Sequence, residues 1–265
     1  MTEPAPDVSG RVKNSDPKNR RNWFLDHISK PIDEIEEFLS GTMVSFAGAR
    51  ILDVGCGDGF IDLGLVRKLH PSLLVGTDLF ETDLDELRFL AREHLNEDLP
   101  DNLKFSVCTE QSLPFPDSSF DVVMSWSVFE HVSDPVAVLR DIRRVLRPGG
   151  YMFLQIWPLF FSQHGSHLWK WFPEGWQHLF STPERLSSEL STVIPESREL
   201  LEATQLDLNT LNRITVDQLQ DSIAAAGLSI RRVGFQADTI DIPSSLSRYR
   251  LTDLAISGVK ILAQR

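Results

Sequence analysis

The chain has 265 residues, of which 42% are hydrophobic, and a formal net charge of −12. That length suits one α/β domain with an added segment, and the apolar content supports a sizeable core. The acidic balance argues against an extended nucleic-acid surface, because such affinity rests on Lys and Arg contacts to phosphate.

Residues 1 to about 20 are polar, with Pro4, Pro6, Gly10 and Pro17, and read as a loosely docked arm. Met1-Thr2-Glu3-Pro4 lacks the apolar core of a secretory signal. The two cysteines, Cys56 and Cys108, form neither a disulfide framework nor a zinc spacing. Tyr151 to Phe161, the most apolar stretch, contains Gln155 and Pro158 and is too short to span a bilayer. A cytoplasmic protein with no membrane partner is expected. Residues 22–46 alternate charge with Trp23, Phe24, Ile28, Ile32, Ile35 and Leu39, which predicts one or two helices packed over the sheet or a ligand site.

The chain is organised around Ile51 to Phe60. An apolar run enters it, three glycines follow at Gly55, Gly57 and Gly59, and an apolar helical stripe of Phe60, Leu63, Val66 and Leu69 leaves it. This predicts a buried strand, a tight turn open to a ligand, and a helix start. A dinucleotide loop would read G-x-G-x-x-G. Here the third glycine comes one residue early, and Asp58 adds negative charge beside the turn. A ligand with an ammonium group and a positive sulfur suits such a loop better than a pyrophosphate. An ordinary glycine-rich turn is the alternative. The stretch resembles motif I, D-x-G-x-G-x-G, of class I S-adenosylmethionine (SAM)-dependent methyltransferases, with Asp53, Gly55, Gly57 and Gly59 at its four fixed positions.

Later segments extend the resemblance in the family's order. Leu73 to Leu79 is a second strand, and the resemblance gives Asp78, at its carboxyl end, the ribose hydroxyls; a helix or turn cap for the Glu81–Leu95 segment is the alternative. Cys108 to Asp117 resembles the adenine-contacting loop through L-P-F-P-D, but Thr109 and Glu110 replace the usual Asp-Ala, so Thr109, Glu110 and Gln111 all stay open as adenine contacts. Ser119 to Trp126 is a fourth strand, with Ser125 and Trp126 where the methionine part of SAM is expected. E-H-V at Glu130-His131-Val132 is frequent in small-molecule members, which places His131 at the methyl-transfer cleft by analogy. Arg140, Arg143, Arg144 and Arg147 lie on an amphipathic helix and read as a solvated face. Leu146-Arg147-Pro148-Gly149-Gly150, read as a glycine helix cap followed by a strand from Tyr151 to Ile156, is a further family hallmark.

Residues 157–215 break the strand–helix alternation and are dense in Trp, Phe and His. The resemblance implies a lid that holds the acceptor; a small packed subdomain is the alternative. Thr215 to Gly227 is a capped helix, followed by strands at Leu228 to Phe235 and Gly258 to Ala263.

The resemblance implies a Rossmann-like three-layer α/β/α sandwich, with a mostly parallel seven-stranded sheet and an antiparallel last strand. It implies an N-terminal arm and helices over 1–46, a SAM-binding core over 47–156, a lid over 157–215 and the end of the core sheet over 216–265. It implies SAM held by Asp53, Gly55, Cys56, Gly57, Asp78, Leu79, Thr109, Glu110, Gln111, Ser125 and Trp126. The acceptor is expected to be a small molecule, a hydroxyl of a sugar or polyketide-like metabolite, not nucleic acid. A non-catalytic SAM-binding or partner-binding protein is the main rival, and an RNA methyltransferase or a nicotinamide-dependent dehydrogenase is less favoured. Deprotonating a hydroxyl calls for a group titrating near neutrality, and His167, then His131, are the expected bases. The His164-x-x-His167 spacing, with His178 distant, lacks a recognised carboxylate or cysteine partner, so no metal is expected.

Overall fold

The computed structural model describes residues 17–194, 197–237 and 239–265, so most of the expected N-terminal arm lies outside the described residues. The chain forms two compact units, one ending at Cys108 and one beginning at Thr109.

The first unit holds α1 (Pro17–Leu39), β1 (Arg50–Val54), α2 (Phe60–Leu69), β2 (Leu73–Asp78), α3 (Leu84–Leu95) and β3 (Leu103–Val107). β1 pairs in parallel with β2, and β2 with β3, in registers such as Leu52↔Val75 and Gly76↔Phe105. Ile51 and Leu52 point to opposite faces yet are both fully buried, as a parallel strand covered on two sides requires. Over residues 22–46 one helix forms rather than two, and it runs through Pro31. Phe24, Ile28, Ile32, Ile35 and Leu39 recur at three- to four-residue spacing and are all buried, and this stripe outweighs the backbone bond lost at the proline. α1 packs on α2 and α3. It crosses α2 at Gly64, where a Cβ would overlap the Ile28 carbonyl, so the close approach requires glycine.

The second unit holds β4 (Phe120–Trp126), α4 (Pro135–Val145), β5 (Leu146–Ile156), α5 (Gln177–Phe180), α6 (Pro183–Val193), α7 (Arg198–Thr210), α8 (Val216–Ala225), β6 (Ser229–Ala237), α9 (Leu251–Ala255) and β7 (Ile256–Gln264). β4 and β5 are parallel, and β7 runs antiparallel to both β5 and β6. Within the first unit the strand order is β3-β2-β1 and within the second β4-β5-β7-β6, with the expected mostly parallel strands and antiparallel last strand. α8 starts in a capping box between Thr215 and Gln218, and Gly227 follows its end at φ 76°.

The glycine cap expected at Gly149-Gly150 is corrected. α4 ends at Leu146 in extended conformation, and β5 begins there, with Leu146 opposite Phe120. Leu146 is fully buried, so the chain turns straight into the core. The glycines follow inside the strand, where Gly149 takes φ 78° and a Cβ on Gly150 would sit 2.9 Å from the Asp121 carbonyl. Arg140 and Arg143 of α4 and Arg147 of β5 are exposed, as expected of a solvated face, and Arg143, Arg144 and Arg147 also tie segments together. Arg144 binds Asp141 and Asp117 and donates to the Leu113 and Phe115 carbonyls at 3.0 and 2.7 Å. Arg143 donates to Gly227 O, and Arg147 pairs with Asp121.

The aromatics of 157–215 build two small cores. Phe160, Trp176, Leu179 and Leu211 pack with Leu246 and Leu254, while Leu168, Leu186, Leu190 and Ile194 form the other. Among the described residues no helix is long and apolar enough to cross a membrane.

Candidate functional site

In the first unit, Gly55, Gly57 and Gly59 take φ of 85°, 53° and 78°. These left-handed values are available to glycine at no steric cost. A Cβ on Gly59 would lie 2.6 Å from Phe105, whereas one on Gly57 would meet nothing within 4 Å. The turn is therefore packed on one side and open at its middle. Asp58 Oδ1 accepts the Phe60 N–H at 3.1 Å and starts α2, so its charge is spent on the helix end.

Asp78 stands at the end of β2. Its Oδ2 accepts the Gly57 N–H at 2.9 Å and its Oδ1 accepts the Leu79 N–H at 2.7 Å. The helix-cap alternative is excluded, because α3 is capped by Asp83, which accepts from Glu86 N at 3.0 Å. Asp78 instead ties the second strand to the glycine turn. A carboxylate offers about four lone-pair directions, so two backbone bonds leave capacity for a pair of hydroxyls. Leu79 is partly exposed beside it. Cys56 is buried with Sγ 3.7 Å from Thr82 Oγ1, and burial, with Asp62 and Asp53 nearby, pushes its thiol up, so it is an inert part of the turn.

Asp53 is placed otherwise than on a ligand surface. It is 2% exposed and faces Asp62 of α2, which is fully buried. One Asp53 oxygen and both Asp62 oxygens lack a hydrogen-bond partner. Burial pushes Asp53 up to about 7 and Asp62 well above the ordinary range, with each carboxyl group also acting on the other. A Cβ on Gly76 would sit 2.6 Å from Asp62 Oδ2, so that glycine makes room for the pair. Asp53 thus acts behind the turn.

In the second unit, Thr109 closes a short turn with Ser112 through mutual backbone bonds. Thr109, Glu110 and Gln111 are exposed, and Glu110 accepts from the Ser133 hydroxyl at 3.3 Å. The following L-P-F-P-D segment is held by Asp141, which accepts the Leu113 N–H at 2.6 Å, and by Arg144. Ser125 is 1% exposed, so it belongs to the core, while Trp126 is half-buried and stacks on Phe153. Lys260 lies 5.9 Å over the Trp126 ring.

His131 and His167 come together, with ring centroids 5.4 Å apart in edge-to-face geometry. His131 sits in a single 3-10 turn after β4, and His167 takes φ 62° in the turn before Leu168. Asp207 of α7 joins them: His167 Nδ1 lies 3.1 Å from Asp207 Oδ2, and His131 Nε2 lies 3.6 Å from Asp207 Oδ1. Burial pushes Asp207 up, but the His167 hydrogen bond and the two imidazoles outweigh it and leave the carboxyl below its ordinary range. Burial holds His131 down. Beside them Glu130 is 3% exposed, with both carboxyl oxygens unpartnered, and burial pushes it up to about 8. His178 does not join: its Nε2 bonds the Phe160 carbonyl at 2.6 Å, and burial lowers it to about 4.

The sequence reading passed over Glu130, Asp207, Thr210 and Asp62. Glu130 stood in view inside E-H-V, next to a residue already singled out. Asp207 lies in Leu206-Asp207-Leu208 on an acidic helix, where nothing local separates it from a solvated carboxylate.

Residues 52–154 match the family described as a methyltransferase domain. Over 166 residues the chain is 28% identical to the 27-O-demethylrifamycin SV methyltransferase of Amycolatopsis mediterranei, covering 58% of this chain and 60% of that one. It is 35% identical over 127 residues to the ubiquinone biosynthesis O-methyltransferase of Ruegeria pomeroyi, covering 48% of each. The chain thus spans less than two thirds of the length of these curated relatives. The structure of geranyl diphosphate C-methyltransferase from Streptomyces coelicolor A3(2), in complex with Mg2+, geranyl diphosphate and S-adenosyl-L-homocysteine, superposes with a TM-score of 0.57 at 16% identity, covering 94% of this chain and 86% of that one, a likeness of fold. Residues 52–154 thus carry the match to a methyltransferase domain, and SAM is the cofactor that the motif resemblance implies for it. The residues fit it: the turn is open at Gly57, and Asp78 is held with lone pairs to spare.

Proposed function

We propose that the protein is a cytoplasmic enzyme that methylates a hydroxyl of a small molecule, of the sugar or polyketide-like class, using SAM. SAM supplies an electrophilic methyl group on a positive sulfur. The chain's own part is binding, alignment and activation of the acceptor. Gly57 and Asp78 bind the cofactor, with Gly55, Cys56 and Leu79 shaping the turn and Asp53 supporting it from behind. Thr109, Glu110 and Gln111 present acceptor atoms for the adenine amino group, and Trp126, with Ser125 beneath it, serves the methionine end. Alignment alone removes several kcal/mol of barrier in such a displacement.

The observation that carries the acceptor chemistry is the oriented pair His131–His167. The Asp207 carboxylate accepts from His167 Nδ1, so the lone pair of that ring lies on Nε2, which is buried and has no partner. A hydroxyl needs such a group, while a softer acceptor would not. Residues 157–215 are proposed as the segment that holds the acceptor. The acidic charge and the names of the two O-methyltransferase relatives support a metabolite over RNA.

Calorimetry with SAM, S-adenosylhomocysteine and NAD tests the first half, with binding of the first two alone expected. Methyl-labelled SAM, offered with metabolite fractions and with purified RNA, tests the second. Labelling confined to RNA overturns the acceptor class, and SAM binding with no labelling anywhere favours a non-catalytic SAM-binding protein.

A further inference from the structure

Glu130 poses a question that methyl transfer alone does not answer. A carboxyl group 3% exposed with no donor on either oxygen is costly, because buried polar groups are normally paired. Its neighbours are the two imidazoles, and one donor atom each from Glu130, His131 and His167 lie within 4.8 Å of one another.

Hydrogen bonding fixes what those imidazoles offer. The Thr210 hydroxyl donates its one proton to the Asp207 carbonyl at 2.8 Å, so at 2.8 Å from His131 Nδ1 it can only accept. His131 therefore carries its proton on Nδ1 and its lone pair on Nε2. His167 donates from Nδ1 to the Asp207 carboxylate and likewise keeps a lone pair on a buried Nε2. The lone pair of His131 Nε2 also stands 3.6 Å from Asp207 Oδ1, itself an acceptor. One nitrogen of each ring and one Glu130 oxygen thus stand together, and neither Glu130 oxygen has a hydrogen-bond partner among the described residues.

We propose that Glu130, His131 and His167 hold a divalent transition-metal cation, with Asp207 and Thr210 as the outer partners that orient the two rings. Two imidazoles and one carboxylate suit zinc, manganese or iron(II) better than magnesium or calcium, which favour all-oxygen sets. A tetrahedron with bonds of about 2.1 Å needs donors roughly 3.4 Å apart, so binding draws the three groups inward. Each ring donates its other N–H to an oxygen, the usual outer-shell arrangement of metal-bound histidine. Three protein ligands leave a position open for water or an acceptor oxygen.

This deepens the function proposed above and rests on the cluster serving the acceptor. A hydroxyl in the open position keeps its electron pair on oxygen and releases its proton to water, so His131 and His167 act as ligands, in place of the free bases expected from sequence.

The experiment uses the full chain without an affinity tag, treated with chelator and then titrated with cobalt(II). One cobalt per chain is expected, with visible bands of low-symmetry N/O coordination. Glu130→Gln, nearly isosteric, and His167→Ala should each weaken cobalt binding at least 100-fold, and Asp207→Asn should weaken it 10–100-fold, with unchanged circular dichroism. Failure of the parent chain to bind one cobalt overturns the proposal, as does binding indifferent to both Glu130→Gln and His167→Ala. SAM calorimetry on the same samples separates the claims. SAM binding without cobalt binding removes the cation and keeps the methyltransferase. Cobalt binding without SAM binding does the reverse.

Discussion

The glycine turn and the histidine cluster satisfy their polar groups in opposite ways. In the turn, both Asp78 oxygens accept backbone N–H groups, from Gly57 and Leu79, and Asp58 accepts the Phe60 N–H. In the cluster, neither Glu130 oxygen accepts anything, and His167 Nε2 is buried without a partner. The turn is finished by its own backbone and offers a ligand a preset surface. The cluster is finished only by what binds it. A preset surface governs affinity, whereas unpaired donors held in place govern chemistry, because they interact most strongly with charge that develops during reaction.

That contrast is broken most severely by His167→Ala. Turnover should fall about 10²–10⁴-fold, the range of a lost acid–base or metal-activating group, while SAM affinity stays within about twofold; stopped-time assays and calorimetry read the two separately. Equal loss of SAM affinity would erase the distinction. Asp78→Ala is the complementary case. Hydrogen bonds to a charged acceptor contribute about 1.5–3 kcal/mol each, so SAM should bind at least tenfold more weakly, with turnover largely restored at saturating SAM.

Gly59→Ala probes how rigidly the turn is built. Its Cβ would press on Phe105 at 2.6 Å from a left-handed φ, and overpacking of this kind costs about 1–3 kcal/mol, measurable as a lower urea midpoint at unchanged slope. The smallest effect concerns the acids behind the turn. Asp53 and Asp62 are both raised in the fold, so the folded state holds more protons than the unfolded chain between the ordinary Asp value of 3.8 and about 7. The contribution of Asp53 to stability is complete below that window and is lost as pH rises through it, and that of Asp62 falls in the same direction. Asp62→Asn keeps the shape and removes one titration, so stability should decline less steeply across the window. An unchanged decline would show that the pair is not its source.

What could be read from the sequence followed the range of the interactions. Asp53, Gly55, Gly57 and Gly59 lie within seven consecutive positions, where backbone sterics alone demand glycine and the strand–turn–helix pattern is local. The mostly parallel sheet with an antiparallel last strand followed from the family resemblance of the ordered segments, L-P-F-P-D and L-R-P-G-G among them, although the cap at Gly149 did not, because burial of Leu146 decided where α4 stops. Asp78 was visible as a residue at a strand end, but its bond to Gly57, 21 positions away, required the parallel pairing of β1 and β2. His131 and His167 were visible as histidines, and their meeting was not. Asp207 reaches His167 across 40 positions, and Thr210 reaches His131 across 79. No periodicity encodes such distances. The tertiary structure alone decided that Glu130 is buried without a donor, that Asp207 orients two rings, and that Asp62 stands behind Asp53. The charge state and partners of a side chain depend on the solvent it loses, and that loss is settled only when distant segments pack.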